Sequence, residues 1–155
     1  MAGIERHSEL PSQEEIAAAL RKIPKRALRT EWITEEAGGR FLLGLECVQA
    51  LVDPKASDEK AYSNGLRDYL RTAVARMGSD SNRILIEVVF GIGDKQWDNK
   101  KWRQKKAKVR RRQAGKEFRP ESEPVAADTI RQSYEPKAVE ELAAIVYEEE
   151  KRARK

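Results

Sequence analysis

The chain has 155 residues, of which 39% are apolar and 37% are charged, and its formal net charge is +5. This length is typical of one domain with a single hydrophobic core, and the apolar runs exclude a fully disordered chain. One cysteine and one histidine cannot form a disulfide within the chain or a zinc site of the usual nitrogen and sulfur ligands.

The positive charge is concentrated in one segment. Residues 95–119 contain twelve bases and two acids, whereas residues 1–78 contain twelve of each. The seventeen residues 100–116 include ten bases and no acid. The local positive potential is therefore much stronger than the net charge of the whole chain suggests.

The first half of the chain contains two apolar stripes that predict amphipathic helices. Ser12 and Glu15 have the spacing of a capping box before the first stripe, which we expect to stop after Ile23, at Pro24. The second predicted helix runs from residue 39 to residue 52. Its apolar face is broad, so we expect it to lie at the centre of the fold.

Two further elements precede the basic segment. A clear helical stripe ends near Met77, with Gly78 as the expected C-cap, and Gly65 is either tolerated inside this helix or marks a turn. Residues 82–92 could form a buried strand or a buried helix. We favour a helix, because no second convincing strand is available to pair with it.

The last third of the chain predicts two more helices. One covers residues 126–134, and Pro136 suits the first turn of the other. Residues 93–100 and 115–125 are expected to be loops, and residues 1–11 and 148–155 to be frayed ends. The expected fold is all-α: residues 1–155 form a compact single-domain bundle of about six or seven helices, with a helix-turn-helix-like C-terminal part.

No constellation of side chains indicates catalysis. His7 lies near the N-terminus, and Cys47 lies in an apolar run without a histidine beside it. Glu46 and Glu87 interrupt apolar runs. We expect each either to form a structural salt bridge, for which Arg67, Arg71 or Arg83 could serve, or to lie at an edge position. We expect no enzymatic activity, no catalytic residue, no bound metal and no cofactor.

The sequence also predicts a cytoplasmic protein. The first ten residues lack the apolar region of a secretory signal, and a single cysteine fits a reducing compartment. The longest apolar run, residues 41–52, is too short to span a bilayer, and the apolar stripe of the basic segment is too narrow for an interfacial helix, so we expect no membrane contact.

The basic segment is interpreted as a helix over residues 100–112. Bases occupy nearly its whole circumference, and like charges four residues apart repel, so an acidic neighbour or an external polyanion must offset the cost. The acidic residues of the C-terminal helix could supply part of that charge. A phosphate backbone is the natural external partner, with Trp97 and Trp102 either anchoring the helix in the core or stacking on unpaired bases. The candidate nucleic-acid-binding bases are Lys100, Lys101, Arg103, Lys105, Lys106, Lys108, Arg110, Arg111 and Arg112.

Residues 105–143 resemble the helix-turn-helix regulators. The stretch from Val125 to Arg131 is similar to the start of a recognition helix in that family. The resemblance implies that Thr129, Arg131 and Gln132 approach base edges or phosphates, while Ile130 and Tyr134 pack inward. It also departs from the family, because about ten residues replace the usual turn of about three or four. A looser likeness connects the same residues with small helical modules of bacterial regulatory and signalling proteins.

These observations predict a non-enzymatic, regulatory protein that binds nucleic acid, with DNA as the expected partner. The alternative is a protein–protein interaction adaptor in a bacterial regulatory or signalling system, whose partner is acidic. Both hypotheses use the same basic surface. The sequence does not distinguish DNA from RNA or from an acidic protein.

Overall fold

The computed structural model describes residues 4–53, 55 and 58–155, and within these residues it is helical without any strand. The predicted all-α class is confirmed. The segments are shorter and more numerous than expected. In chain order they are α1 (Gln13–Leu20), α2 (Ile23–Arg26), α3 (Thr30–Glu35), α4 (Ala37–Leu43), α5 (Glu46–Gln49), α6 (Glu59–Ala75), α7 (Asp80–Phe90), α8 (Lys100–Arg103), α9 (Ala107–Glu117), α10 (Ala127–Thr129), a π-helical turn (Ile130–Tyr134) and α11 (Glu135–Ala153).

Helices α7 and α11 lie at the centre of the molecule. Helix α11 packs against α1, α5, α6 and α7, and α7 also packs against α9. The buried residues of these helices are mostly leucine, isoleucine and valine, and they form one continuous core. This core places α9, the main basic helix, directly over one side of α7.

The capping box predicted for α1 is present. The Ser12 hydroxyl accepts from the Glu15 amide at 3.0 Å, and the Glu15 carboxylate accepts from the Ser12 amide at 3.1 Å. Pro24 does not simply stop the helix, because the chain makes one turn and starts the short helix α2 with Pro24 in its first turn. Proline is tolerated there, since the first turn of a helix leaves its N–H groups unpaired.

The prediction of one continuous helix over residues 39–52 is wrong. The segment forms two helices, α4 and α5, which are separated at Gly44 and the extended residue Leu45. The N-terminal segment crosses at this point, and a Cβ atom on Gly44 would lie 2.5 Å from the carbonyl oxygen of Glu5. The buried carboxylate of Glu150 accepts the amides of Glu46 and Cys47 at 2.9 and 3.0 Å, which caps the start of α5.

The two ends of the chain pack together instead of fraying. The His7 ring packs on Phe41 and its Nε2 lies 2.8 Å from the Phe41 carbonyl oxygen. Helix α11 continues to Ala153, and Arg154 donates to the carbonyl oxygen of His7 at 2.9 Å. The expectation of frayed ends is therefore corrected for residues 5–10 and 148–154.

Helices α6 and α7 follow the predicted pattern. Gly65 lies inside α6, where a Cβ atom would approach the Val52 side chain to 2.6 Å, so glycine permits close packing there. Helix α6 ends with Arg76 as its C-cap rather than Gly78. The helical interpretation of residues 82–92 is confirmed over Asp80–Phe90, and Ser79 caps that helix.

The two acidic residues in apolar runs have different partners from each other. Glu87 pairs with Arg83 at 3.1 Å, as expected. Glu46 pairs with Arg6 at 3.4 Å, which is none of the three arginines suggested by the sequence.

The predicted pair of helices at the C-terminal end is one continuous helical path. Helix α10, the π-helical turn and α11 follow one another without a break. Pro136 has no N–H and its ring would clash with the carbonyl four residues earlier in a regular α-helix. The wider π turn directly before it relieves this clash, so the chain continues as a helix where the sequence predicted a boundary.

Candidate nucleic-acid interface

The basic segment is not one helix. Helix α8 ends at Arg103 and α9 begins at Ala107, with Lys106 extended between them. The side chain of Arg29 donates to the carbonyl oxygens of Arg103 at 2.7 Å and of Lys105 at 3.4 Å. These tertiary hydrogen bonds occupy carbonyl groups that a continuous helix would use, and they correct the predicted helix over 100–112.

The inner side of the segment caps the C-terminus of α7. The last carbonyl groups of a helix have no partner within it, and they form the negative end of its dipole. The indole Nε1 of Trp102 donates to the Val88 carbonyl oxygen at 2.7 Å. The guanidinium of Arg110 donates to Val89, and that of Arg103 donates to Gly91 at 2.9 Å.

Arg110 is the largest fully buried side chain, with no exposed surface. Besides Val89, it donates to the carbonyl oxygens of Pro24 at 2.7 Å and Lys105 at 3.0 Å. Burial, together with the charges of Arg29 and Arg111, lowers the pKa of Arg110 to about 10. Arg110 therefore joins three chain segments and cannot reach a phosphate, although the sequence placed it among the binding bases.

Two other arginines of the segment are held by carboxylates. Arg111 forms a two-pronged ion pair with the buried Glu135, at 2.9 and 3.0 Å. Arg103 pairs with Asp98 at 2.9 Å. Burial opposes the ionisation of Asp98, but hydrogen bonds from Arg71, the Gly93 amide and Arg103 outweigh it and lower the pKa of Asp98.

Seven bases remain on the outer side of the segment. All seven side chains are exposed, and none has an ion pair or a side-chain hydrogen bond within the described part of the chain. We call this set the outer basic surface: Lys100, Lys101, Lys105, Lys106, Lys108, Arg112 and Lys116. Lys108, Arg112 and Lys116 are four residues apart, so they follow one line along the exposed side of α9.

One apolar side chain interrupts this outer surface. Val109 lies on the exposed side of α9 and is 40% exposed. Its sequence neighbours Lys108 and Arg110 are bases, and on the helix surface it lies between Arg112 and Gln113. Within the described chain, only Leu51 is a comparably exposed large apolar residue.

The acidic residues of α11 do not cover the outer basic surface. Glu141 accepts from Asn82 at 2.9 Å, and Glu149 accepts from the Tyr69 hydroxyl at 2.8 Å and pairs with Arg76. Glu150 is buried beneath the start of α5. In the part of the chain that the structure describes, the carboxylates that pair with the basic segment are Asp98 and Glu135, and both pair with inner arginines.

The three residues suggested by the helix-turn-helix resemblance are all on the surface. Thr129, Arg131 and Gln132 are exposed on α10 and the π turn, which pack against α9. Ile130 is buried between these elements. Tyr134 is half-buried, with its ring 5.0 Å from that of Phe118.

The connection between α9 and α10 folds back on α9. The Val125 amide donates to the Gly115 carbonyl oxygen at 3.1 Å. A Cβ atom on Gly115 would overlap the carbonyl group of Val125, so only glycine allows this approach. The long connection therefore forms a packed loop over residues 118–126, and α9 and α10 are closely juxtaposed despite its length.

The tryptophans of this region serve the core. Trp97 is 7% exposed and packs against Trp102, with 4.8 Å between the ring centroids. Trp102 is half-buried and its N–H is occupied by the carbonyl of Val88. Of the two roles considered for these rings, anchoring of the basic segment is the one that these contacts support.

The side chains that divide the basic segment into an inner and an outer side are not evident from the sequence pattern. Asp98 lies five residues from its partner Arg103, and Glu135 lies 24 residues from its partner Arg111. Arg29 lies 74 residues from Arg103, whose carbonyl oxygen accepts its hydrogen bond. Asp98 and Glu135 were present as isolated acids near the segment. Nothing in the spacing of Arg29 indicates its contact.

The one cysteine of the chain, Cys47, is half-buried. Burial raises the pKa of the Cys47 thiol to about 12, so this thiol stays protonated at neutral pH.

Among the described residues, no helix is both long enough and apolar enough to cross a bilayer.

Comparisons with protein-family models, with curated proteins and with solved structures find no match to this chain. The function is therefore inferred from the geometry and charge of the surface described above.

Proposed function

We propose that this protein is a non-enzymatic, regulatory DNA-binding protein that binds the phosphate backbone with its outer basic surface. The observation that carries the proposal is the group of seven exposed bases without an intramolecular partner in the described chain. Lysine and arginine side chains that neutralise phosphates release condensed counterions, which gives affinity without sequence preference. The line of Lys108, Arg112 and Lys116 suits successive phosphates along a strand.

Thr129, Arg131 and Gln132 are the proposed source of sequence preference. They are exposed on elements that pack directly against α9. Arginine and glutamine can each form paired hydrogen bonds with base edges in the major groove. In this proposal the outer basic surface positions the protein, and these three residues read the sequence.

The test is binding of a DNA duplex to the full chain at increasing salt concentrations. We expect replacement of Lys108, Arg112 and Lys116 by glutamine to reduce the slope of log K against log salt by about 2 to 3, or roughly 0.9 for each lost phosphate contact. A matched control replaces Lys22, Lys151 and Lys155 by glutamine. It removes the same charge from exposed positions outside the basic segment and should leave the slope nearly unchanged.

Two results would contradict the proposal. The first is the absence of duplex binding by the native chain at low ionic strength. The second is an equal loss of affinity in the two triple variants, because it would show a response to net charge rather than to this surface.

An acidic protein partner is the second candidate, and Val109 favours it. A 40% exposed valine among bases gains little from a phosphate backbone, but it could be buried by a protein. Val109→Ser should then weaken a protein complex and leave duplex binding unchanged. A pull-down with and without nuclease separates a direct protein complex from one bridged by nucleic acid.

A further inference from the structure

A separate cationic cleft lies beside α8 and has a volume of about 370 Å³. Among the described residues, five bases and one carboxylate, that of Glu31, line this cleft. Thr30, Asn64 and Gln104 contribute uncharged polar groups. The bases are Arg29, Lys60, Arg67, Lys100 and Arg103. This volume is within the range of small-molecule sites.

Arg67 forms the inner wall of this cationic cleft and is only 9% exposed. Its guanidinium donates to the Leu28 carbonyl oxygen and the Thr30 hydroxyl at 2.9 Å, and to the Asn64 side-chain oxygen at 3.4 Å. All three acceptors are uncharged. A guanidinium carries five N–H groups, so two have no acceptor within the described residues.

The carboxylates near Arg67 do not neutralise it. Asp98 is occupied by Arg71, Arg103 and the Gly93 amide. Glu31 lines the cleft but has no ion pair in the part of the chain that the structure describes.

The pKa of Arg67 is lowered to about 10 in the fold. Burial is the main cause, the charges of Arg103 and Arg71 add to it, and the carboxylates of Asp98 and Glu31 oppose it. A nearly buried cation without its own counterion is costly, and an anion in the cleft would offset that cost.

We propose that this cationic cleft binds a phosphate monoester. Arg67 and Arg103 would face the phosphate at the inner wall, and the exposed Lys60 and Lys100 would close over it at the mouth. Guanidinium groups bind phosphate oxygens through paired, charge-assisted hydrogen bonds. The phosphate belongs either to a small phosphorylated molecule or to the 5′ end of a nucleic acid, and the chemistry of recognition is the same.

This site is distinct from the proposed DNA-binding surface, because its walls come mainly from α3, α6 and the residue before α3, Arg29. Only Lys100 belongs both to the cationic cleft and to the outer basic surface. The two proposals can therefore fail separately. Replacing Lys108, Arg112 and Lys116 by glutamine should weaken duplex binding and leave binding in the cleft intact.

The first test is calorimetric titration of the full chain with AMP at low ionic strength, with adenosine as the matched control. A second pair of probes is a short single-stranded oligonucleotide with and without a 5′-phosphate. We expect the phosphate to increase affinity in at least one pair, and the pair that responds identifies the source. The proposal is overturned if the phosphate has no effect in either pair.

Variants then locate the bound phosphate. Lys60→Gln combined with Lys100→Gln should weaken the responding probe by about tenfold, through loss of charged hydrogen-bond donors. Lys151→Gln combined with Lys155→Gln removes the same charge elsewhere and should leave the affinity unchanged. Glu31→Gln should increase the affinity, because it removes a negative charge from the lining of the cleft.

These substitutions avoid misfolding, since all five side chains are exposed and none has a described ion pair. Arg67 is less suitable as a single test, because its hydrogen bonds also hold Leu28 and Thr30. Equal weakening by the two double variants would refute the location in the cleft. A decrease in affinity on Glu31→Gln would refute it as well.

Discussion

The inner and outer sides of the basic segment carry the same charge in opposite surroundings. On the inner side, Arg103, Arg110 and Arg111 bind carbonyl groups and carboxylates of the same chain. On the outer side, six of the seven exposed bases are lysines, and Arg112 is the exception. The residue type, rather than the charge, distinguishes the two sides.

The physical reason is the shape of the two head groups. A guanidinium is planar, weakly hydrated and presents donors in a fixed fork, so one side chain can satisfy several acceptors at once. Arg110 does this for three carbonyl groups from three segments. A lysine ammonium is strongly hydrated and stays in water. A count of bases in a sequence is therefore an upper limit on the charge offered to a partner.

Among the tests of this comparison, Arg110→Ala has the largest expected effect. It removes the donor from the buried carbonyl groups of Val89 and Pro24 and opens a cavity, so we expect the free energy of unfolding to fall by about 4 kcal/mol. Urea denaturation measures the change. Arg112→Gln, two residues away on the outer side, should change the same quantity by less than about 0.5 kcal/mol. Similar effects of the two substitutions would remove the distinction between the sides.

The second test measures how the stabilisation of the inner Arg103 by the carboxylate of Asp98 depends on pH. Asp98→Asn should cost about 2 kcal/mol at neutral pH, because it weakens the charged hydrogen bonds to Arg71 and Arg103. The pKa of Asp98 is lowered in the fold, so its stabilisation is present above the ordinary value of 3.8 and is lost as the pH falls through the lower folded value.

The difference in unfolding free energy between the native chain and Asp98→Asn should therefore narrow below pH 3.8. The corresponding difference for Arg112→Gln should not change in this range, because Arg112 has no carboxylate partner among the described residues. A constant difference for Asp98→Asn would mean that the network does not depend on the ionised carboxylate.

A smaller effect is expected for Trp102→Phe. The ring still packs on Trp97, but the indole donor to the Val88 carbonyl oxygen is lost. We expect a cost of about 1 kcal/mol from this one hydrogen bond. Thermal or urea unfolding provides the measurement. No measurable change would show that the cap on α7 does not depend on the indole.

The smallest expected effect has the opposite sign. Arg112→Gln removes repulsion from Lys108 and Lys116, so we expect the free energy of unfolding to rise by about 0.3 kcal/mol at low salt. The gain should shrink at high salt, because salt screens exposed charges. A clear loss of stability would instead indicate an intramolecular partner for Arg112.

Local sequence signals located most of the helices. The Ser12 capping box marked the start of α1, and the apolar stripes marked α6 and α7. These signals act over three or four residues, so they can be read from the chain alone. The continuity of helices was harder to predict. The breaks at Gly44 and at residues 104–106 depend on Glu150 and Arg29, which are far away in sequence.

The residue pattern is enough to establish that the chain is helical and that its positive charge lies in one segment. The bases that face inward are selected by the fold. That choice depends on the position of the C-terminal end of α7, whose unpaired carbonyl groups require donors. Trp102, Arg103 and Arg110 supply them, and the seven outer bases remain for a partner. Hydrogen bonds between distant segments leave no periodic pattern in a sequence, and therefore the division of this basic segment appears only in the folded protein.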